Sequence, residues 1–431
     1  MKIAVVGLGK IGLPLAVQFA RKNHEVIGVD INPLTVELVN NGIEPFPEEK
    51  KLQEYLGEVV KTNNLRATLD YKEAISAAEA IIIVVPLVVD GDGQPIFSEI
   101  DQATLLIAKY IKKGTLVCYE TTLPIGTTRD RFTSILEKNS KLQVGKDFYV
   151  VFSPERVLTG RIFEDLKKYP KIVGGVTTSC GSKGVKFYEK VIDFEIRNDL
   201  KKPNGVWMVE NCETAEFIKL AETTYRDVNI ALANEFALHA EKKGIDIYEV
   251  ISSANSQIFS HIHQPGISVG GHCIPVYPQL YTWSDSESVI VKTARKVNKA
   301  MPKHVIFQFK KDLGELDGKK ILILGVSYRP NVKESAFSGT FDLVKLLELE
   351  CADVQVLDPH FDGNEIIKLG LKPFDGILNN IDAILIHTAH LKFQDFFGQS
   401  LPLGCYIYDG RNFFAENPKP KGARVRILGQ G

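Results

Sequence analysis

The stretch that most restricts what this chain can fold into is its first thirty residues. "KIAVVGLG" reads as a buried strand, "GLPLAVQFARKN" has the spacing of an amphipathic helix, and "EVIGVD" reads as a second strand. Two strands joined by a helical crossover lie parallel in one sheet, because the helix carries the chain back to the end from which it started. Further buried-strand signals follow at 80–86 ("AIIIVVP"), 115–121 ("TLVCYET") and 148–154 ("FYVVFSP"), with helical stretches between them. The alternation predicts a parallel, doubly wound sheet.

The pattern then changes. "NCETAEFIKLAETTYRDVNIALANEFALHAEKKG" keeps helical spacing for over thirty residues and closes on Lys242, Lys243 and Gly244, a good helix stop. A helix of this length in mid-chain predicts a spine between domains and a surface for self-association; an ordinary helical pair is the alternative. The strand signal restarts at "LDGKKILILGVSY" and runs through "DVQVLDP" and "DAILIHTAH" to "CYIYDGR". The expected architecture is α/β, two Rossmann-like doubly wound domains joined by a long central helix, with boundaries at 1–205, 206–312 and 313–431. The 431 residues exceed what one hydrophobic core usually supports, which agrees with that division.

Gly7, Gly9 and Gly12 form G-x-G-x-x-G between the first strand and its helix. There the backbone can approach a pyrophosphate closely, and the helix N-terminus offers free N–H groups. Asp30 closes the second strand, where a carboxylate accepts both ribose hydroxyls of an adenosine. The same carboxylate repels a 2′-phosphate, and Ile31 and Asn32 supply no arginine to receive one. The expected cofactor is therefore NAD rather than NADP. Glycines that serve only a tight turn are the plainer alternative.

Composition excludes other classes. Lys and Arg number 52 against 53 Asp and Glu, so no global basic field attracts nucleic acid or an anionic membrane. The glycines and Pro14 interrupt the apolar start, no small-residue cleavage site follows a basic segment, and no apolar run is long enough to span a bilayer. A cytoplasmic protein is expected. Cysteines 118, 180, 212, 273, 351 and 405 are scattered, without C-x-x-C pairs, and read as reduced thiols.

One of them stands apart. In "SVGGHCIPVYP", Cys273 follows two glycines and precedes two prolines, which makes a rigid loop that a ligand can approach. A nucleophile, a metal ligand and a packed small thiol are all open on these residues alone; His272 is a poor partner base because adjacent side chains point apart, and a metal would need His261 or His263 as further ligands.

The chain resembles the nucleotide-sugar 6-dehydrogenases, and within them the branch that acts on UDP-N-acetylhexosamines. The resemblance runs the whole length: "GLGKIGLPLA", "ETTLPIGTT" (120–128), "SPERVLTGR" (153–161), "KLAETTYRDVNIALANEFA" (219–237), "GGHCIPV" (270–276), "VNKAMP" (297–302), "GVSYRPNVKES" (325–335) and "DGRN" (409–412). The "PER" and "GGHC" forms are similar to the acetamido-sugar branch. The resemblance implies oxidation of a C6 alcohol to an acid, with UDP-N-acetyl-mannosamine as substrate, two NAD consumed, and Cys273 carrying a thiohemiacetal and then a thioester. It implies a catalytic set of Cys273, Lys219, Glu155, Thr122 and Thr223, and no metal. NAD contacts are implied for Gly7, Gly9, Lys10, Ile11, Gly12, Asp30, Pro86 and Thr122. Substrate contacts are implied for Glu155, Arg156, Val157, Lys219, Gly271, Tyr328, Arg329, Lys333 and Arg411. A homodimer or higher homo-oligomer is implied as well.

Three positions depart from the family pattern. Thr223 stands where the family has Asn, Tyr277 where it has Asp, and Phe259 where it has Arg. A hydroxyl is shorter than an amide, and a phenol with a pKa near 10 is a poor base at neutral pH. The alternatives these leave are a UDP-glucose or GDP-mannose dehydrogenase, or a catalytically impaired nucleotide-sugar-binding relative.

Overall fold

The computed structural model describes residues 1–46 and 49–431. The chain divides into two compact units, Met1–Glu222 with Gln279–Ser284, and Thr223–Pro278 with Asp285–Gly431.

The first unit holds β1 (Lys2–Val6), β2 (Glu25–Val29), β3 (Leu65–Thr68), β4 (Ala80–Ile83), a two-residue hairpin of β5 (Val88–Val89) and β6 (Pro95–Ile96), then β7 (Leu116–Tyr119), β8 (Tyr149–Phe152), β9 (Lys171–Gly175) and β10 (Val206–Val209). Apart from the hairpin they form one sheet in the order β10-β9-β8-β7-β4-β1-β2-β3. The order reverses at β1, whose neighbours are β2 and β4, and a doubly wound sheet opens a ligand crevice at such a point. One face packs Ile3, Val5, Leu13, Val17, Phe19 and Val26 into a continuous core.

The parallel, doubly wound sheet expected from the sequence is present, and towards one edge it takes up two further strands that run the other way. β8 and β9 run antiparallel, with Val151 opposite Gly175 and Phe152 opposite Gly174, and β10 then runs parallel to β9. The apolar run "KIVGG" carries no mark of its direction, because residues buried on both faces look alike either way.

The second unit holds β11 (Lys320–Leu324), β12 (Asp353–Leu357), β13 (Ala383–Ile386), β14 (Tyr406–Asp409) and β15 (Arg424–Ile427), all parallel, in the order β12-β11-β13-β14-β15. Alternate residues serve opposite cores: Ile321, Ile323, Leu385 and Tyr408 pack on one face, and Leu322, Leu324, Ile386 and Ile407 on the other. That is the period of two expected of strands covered on both sides.

The long helix is Cys212–Lys243, 32 residues. Asn211 opens it by accepting the Thr214 N–H at 2.8 Å, and Gly244, at φ +68°, ends it in the left-handed conformation that glycine adopts without strain. A second helix, Val289–Leu313, ends on Lys310, Lys311 and Gly314.

Candidate active site

The chain leaves β1 through Gly7, at φ +92°, and enters the helix Gly12–Arg21. A Cβ on Gly12 would lie 1.8 Å from the Gly7 carbonyl oxygen, and one on Gly7 would lie 3.1 Å from the Val84 carbonyl at the end of β4. Gly9 differs: a Cβ there would meet nothing within 4 Å. Two glycines are thus needed for packing, and the middle one leaves an open cradle in front of a helix N-terminus, the shape a pyrophosphate fits. Asp30 is fixed just past β2, where its Oδ2 accepts the Leu8 N–H at 2.8 Å and its Oδ1 the Asn32 N–H at 2.9 Å. Pro86 lies exposed beyond β4, and Thr122 is buried beyond β7.

Beyond β8 the chain presents Glu155, Arg156 and Val157. Glu155 is buried, and its backbone carbonyl accepts Lys219 Nζ at 2.5 Å. Arg156 pairs with Glu222 at 2.6 Å and donates to the Pro170 carbonyl at 3.2 Å, while Val157 packs against the core. The Glu155 carboxylate is held by Lys171, which also donates to Glu120 at 2.8 Å. Burial alone would raise Glu155, but the Lys171 charge beside it brings it below the usual carboxylate range. Glu120 goes the other way, pushed up to about 8 by burial. Neither Glu120 nor Lys171 stands among the residues expected from the sequence. The sequence carries no local signal for the pair, because a lysine at the start of an apolar strand reads as facing solvent.

Another buried carboxylate, Glu216 of the long helix, fixes the loop after β7. It accepts the Gly126 N–H at 2.6 Å, the Thr128 N–H at 2.8 Å and the Thr128 hydroxyl at 2.6 Å.

In the second unit, Thr223 is buried one helical turn beyond Lys219. Cys273 is exposed on a turn whose carbonyl, its own, accepts the N–H of Val276 at 3.2 Å and of Tyr277 at 2.8 Å. The turn feeds Tyr277 into the helix Tyr277–Ser284. Gly271, at φ +93°, is pressed on the Tyr328 ring: a Cβ would lie 2.8 Å from the ring edge, so only glycine fits. The Gly271 N–H donates to the Ala336 carbonyl at 2.9 Å, and His272 Nε2 lies 3.6 Å from Glu334 Oε1. Burial raises the Tyr328 phenol, the Arg329 guanidinium opposes that rise, and the Cys273 sulfur is near enough to add to it. Lys333 pairs with Glu365.

Arg411 is buried. Its Nε donates to the His387 carbonyl at 2.8 Å, and its Nη2 to the Ser268 carbonyl at 3.2 Å and hydroxyl at 3.3 Å. Burial lowers it to about 10, so it stays charged at neutral pH. Its Nη2 thus holds the loop that leads to Cys273, and its Nε the residue just past β13. Phe259 is 83% exposed, which takes it out of any core. Among the described residues, no three His, Cys, Asp or Glu side chains stand where they could hold a metal, and no helix is long and apolar enough to cross a membrane.

A strand-glycine-helix cradle at a sheet switch point, an acidic residue closing the next strand, and buried carboxylates at the same sheet edge define a dinucleotide-dependent oxidoreductase. Comparison with known proteins makes this specific. The UDP-glucose/GDP-mannose dehydrogenase family matches in all three of its parts: the NAD binding domain over residues 1–192, the central domain over 213–300 and the UDP binding domain over 322–416. The UDP-N-acetyl-D-mannosamine dehydrogenase of Pyrococcus horikoshii is 34% identical over the full length of both chains, and its solved structure superposes with a TM-score of 0.89, at 33% identity over 100% of each chain. The enzyme of that name from Campylobacter jejuni is 36% identical over 83% of this chain and 86% of its own. A UDP-glucose dehydrogenase structure from Pyrobaculum islandicum superposes at 0.86 with 25% identity, covering 99% of this chain and 97% of that one. The chain belongs to the UDP-glucose/GDP-mannose dehydrogenase family, and is an NAD-dependent nucleotide-sugar dehydrogenase.

Proposed function

We propose that the enzyme oxidises the C6 alcohol of a UDP-N-acetylhexosamine, UDP-N-acetyl-D-mannosamine first, to the uronic acid in two steps. The observation that carries this reading is an exposed thiol, Cys273, on a turn packed against the Tyr328 ring, in a chain whose full-length relatives are named for that substrate. Gly7, Gly9, Lys10, Ile11 and Gly12, with Asp30, Pro86 and Thr122, hold NAD, which when bound supplies the hydride acceptor for each oxidation. The residues fit it, because Gly9 leaves the cradle open and Asp30 is already oriented by two backbone N–H groups.

Cys273, as thiolate, adds its sulfur to the C6 aldehyde carbon and retains the intermediate. The second oxidation leaves a thioester. Glu155 takes a proton from water, the water oxygen bonds to the acyl carbon, and the C–S bond breaks to release the acid and the thiolate. Lys219 and Thr223 stabilise the oxyanions, and Thr122 helps to hold the water. Arg156, Val157, Gly271, Tyr328, Arg329 and Lys333 bind the nucleotide sugar. Arg411 binds it as well, and its Nη2 also holds the loop at Ser268. The division 1–205, 206–312 and 313–431 assigns cofactor, self-association and nucleotide to successive parts, and a cytoplasmic homodimer is the working form.

Tyr277 and Thr223 favour one second reading, an enzyme that stops at the aldehyde or only binds the nucleotide sugar. Incubating a panel of nucleotide sugars with NAD separates the two. Two NADH per UDP-N-acetylhexosamine support the first reading; one or none rejects it. In the Cys273→Ser variant, uronic acid formation should fall by about 10²-fold or more while NAD still binds.

A further inference from the structure

The reversal of β9 has a chemical result. Continuing its antiparallel register with β8, in which Val151 faces Gly175 and Phe152 faces Gly174, places Lys171 opposite Glu155. Because β9 runs backwards, its first residue stands at the edge where β7 and β8 end. Glu120 is the residue after β7, which pairs with β8. Three adjoining strands therefore deliver Glu120, Glu155 and Lys171 to one spot. They are 3%, 8% and 5% exposed. Lys171 donates to both carboxylates, and the Tyr188 hydroxyl donates to Glu120 at 2.6 Å.

We propose that Glu120 and Lys171 are positioning residues for the reaction: Lys171 orients Glu155 and keeps it a carboxylate, while Glu120 carries the one proton that makes the buried cluster neutral. This deepens the reading of Glu155 as the group that activates water, and rests on it.

Charge counting leads there. Lys219 meets Glu155 at its backbone carbonyl, from a partly exposed position, so the buried charged groups are one ammonium and two carboxylates, a net charge of minus one that is costly away from water and that one bound proton removes. Glu155 is the better site for the remaining negative charge, because Lys219 approaches it as well, whereas Glu120 is the more deeply buried. The other titratable groups facing the cluster are Cys118 of β7 and Tyr188 of the helix Thr178–Val191; burial lifts both far above their usual range, so both stay neutral. A base must be anionic at its working pH and fixed in direction, and a single carboxylate in so dry a place would be neither.

The test is the pH dependence of kcat for Lys171→Met, Lys171→Arg, Glu120→Gln and Glu155→Gln, with NAD affinity and thermal melting as controls of the fold. Loss of the lysine should move the acidic limb of kcat up by about one pH unit or more, an approximately tenfold loss at pH 7 that is regained as pH rises, and arginine should restore part of it. Glu120→Gln keeps a neutral carboxamide, so turnover at pH 7 should stay within about threefold, while the titration near pH 8 due to Glu120 disappears from the profile. Should Lys171→Met fail to fold, Glu120→Gln and Lys171→Arg decide the matter. Wild-type pH profiles in the folded variants, beside an impaired Glu155→Gln, would overturn the proposal and leave Glu155 as the base. Normal turnover by Glu155→Gln would overturn both.

Discussion

The three glycines Gly7, Gly9 and Gly12 of the loop after β1 should fail in different ways. An alanine methyl at Gly12 would begin 1.8 Å from a backbone carbonyl oxygen, and real contacts of this kind stay at or beyond 3.0 Å, so β1 and the helix Gly12–Arg21 must separate by roughly 1.2 Å. The obstacle is backbone, not a side chain that can swing away. Overpacking of this sort costs about 1–3 kcal/mol, more than the ~1 kcal/mol that alanine gains over glycine in a helix. Gly12→Ala should therefore melt several degrees lower with or without cofactor. Gly9→Ala meets nothing within 4 Å and Gly9 is not in the left-handed region, so its melting temperature in the absence of NAD should be unchanged or slightly higher. What it should lose is NAD. A methyl in the cradle separates a backbone N–H from a charged phosphate oxygen, an interaction worth about 1.5–3 kcal/mol, which corresponds to a rise in Kd of roughly 10- to 100-fold. Melting curves and a fluorescence titration of NAD on both variants give the four numbers needed. If Gly9→Ala binds NAD as the unaltered protein does, the open space at Gly9 is not where the dinucleotide sits, and the reasoning fails.

Asp30→Ala should narrow the preference for NAD over NADP by about tenfold or more in kcat/KM, and equal use of the two cofactors by the unaltered protein would refute the role of its carboxylate. Glu216 is raised to about 7, chiefly by burial, against the pull of its donors at Thr128 and Gly126. The folded protein thus keeps a proton that the unfolded chain releases between pH ~4.5 and 7, and stability should fall across that window by on the order of 3 kcal/mol. Urea midpoints at pH 5 and pH 8 should show this loss flattened in Glu216→Gln; equal slopes would argue against it. Arg411→Ala leaves the carbonyls of His387 and Ser268 without their donor and should cost about 1–3 kcal/mol. Iodoacetamide should then alkylate Cys273 faster while NAD binding in the intact fraction stays the same; an unchanged alkylation rate would contradict the clamp.

Much of this was legible in the sequence because the signals are local. The strand, glycine loop, helix and acidic residue lie within thirty positions, and the loop character of Cys273 follows from its own glycines and prolines. The length and end of the long helix were marked by Lys242, Lys243 and Gly244. What escaped was set by pairing at a distance. Lys171 opens an apolar strand and reads as a solvent-facing residue at a strand end, and Glu120, though inside a recognised motif, has nothing beside it to name its partner. Only the reversal of β9 brings the two together, and strand direction leaves no trace in a run of apolar residues buried on both faces. Arg411 was singled out from its place in "DGRN", but its hydrogen bonds to the His387 and Ser268 carbonyls join residues too far apart in the chain to be read locally.

That distance has a consequence in time. Ser268 and Arg411 are 143 positions apart, and the glycine cradle finds its last packing partner at Val85. A chain emerging from the ribosome folds its early portions first. The residues that pack Gly7 and Gly12 are all made long before Cys273, whereas the loop that leads to Cys273, tied early by Asn234 at Gly266, gains its holds from Ala336 and Arg411 only later. In the history of each molecule the glycine cradle is old, and the loop beside the thiol is the part settled last.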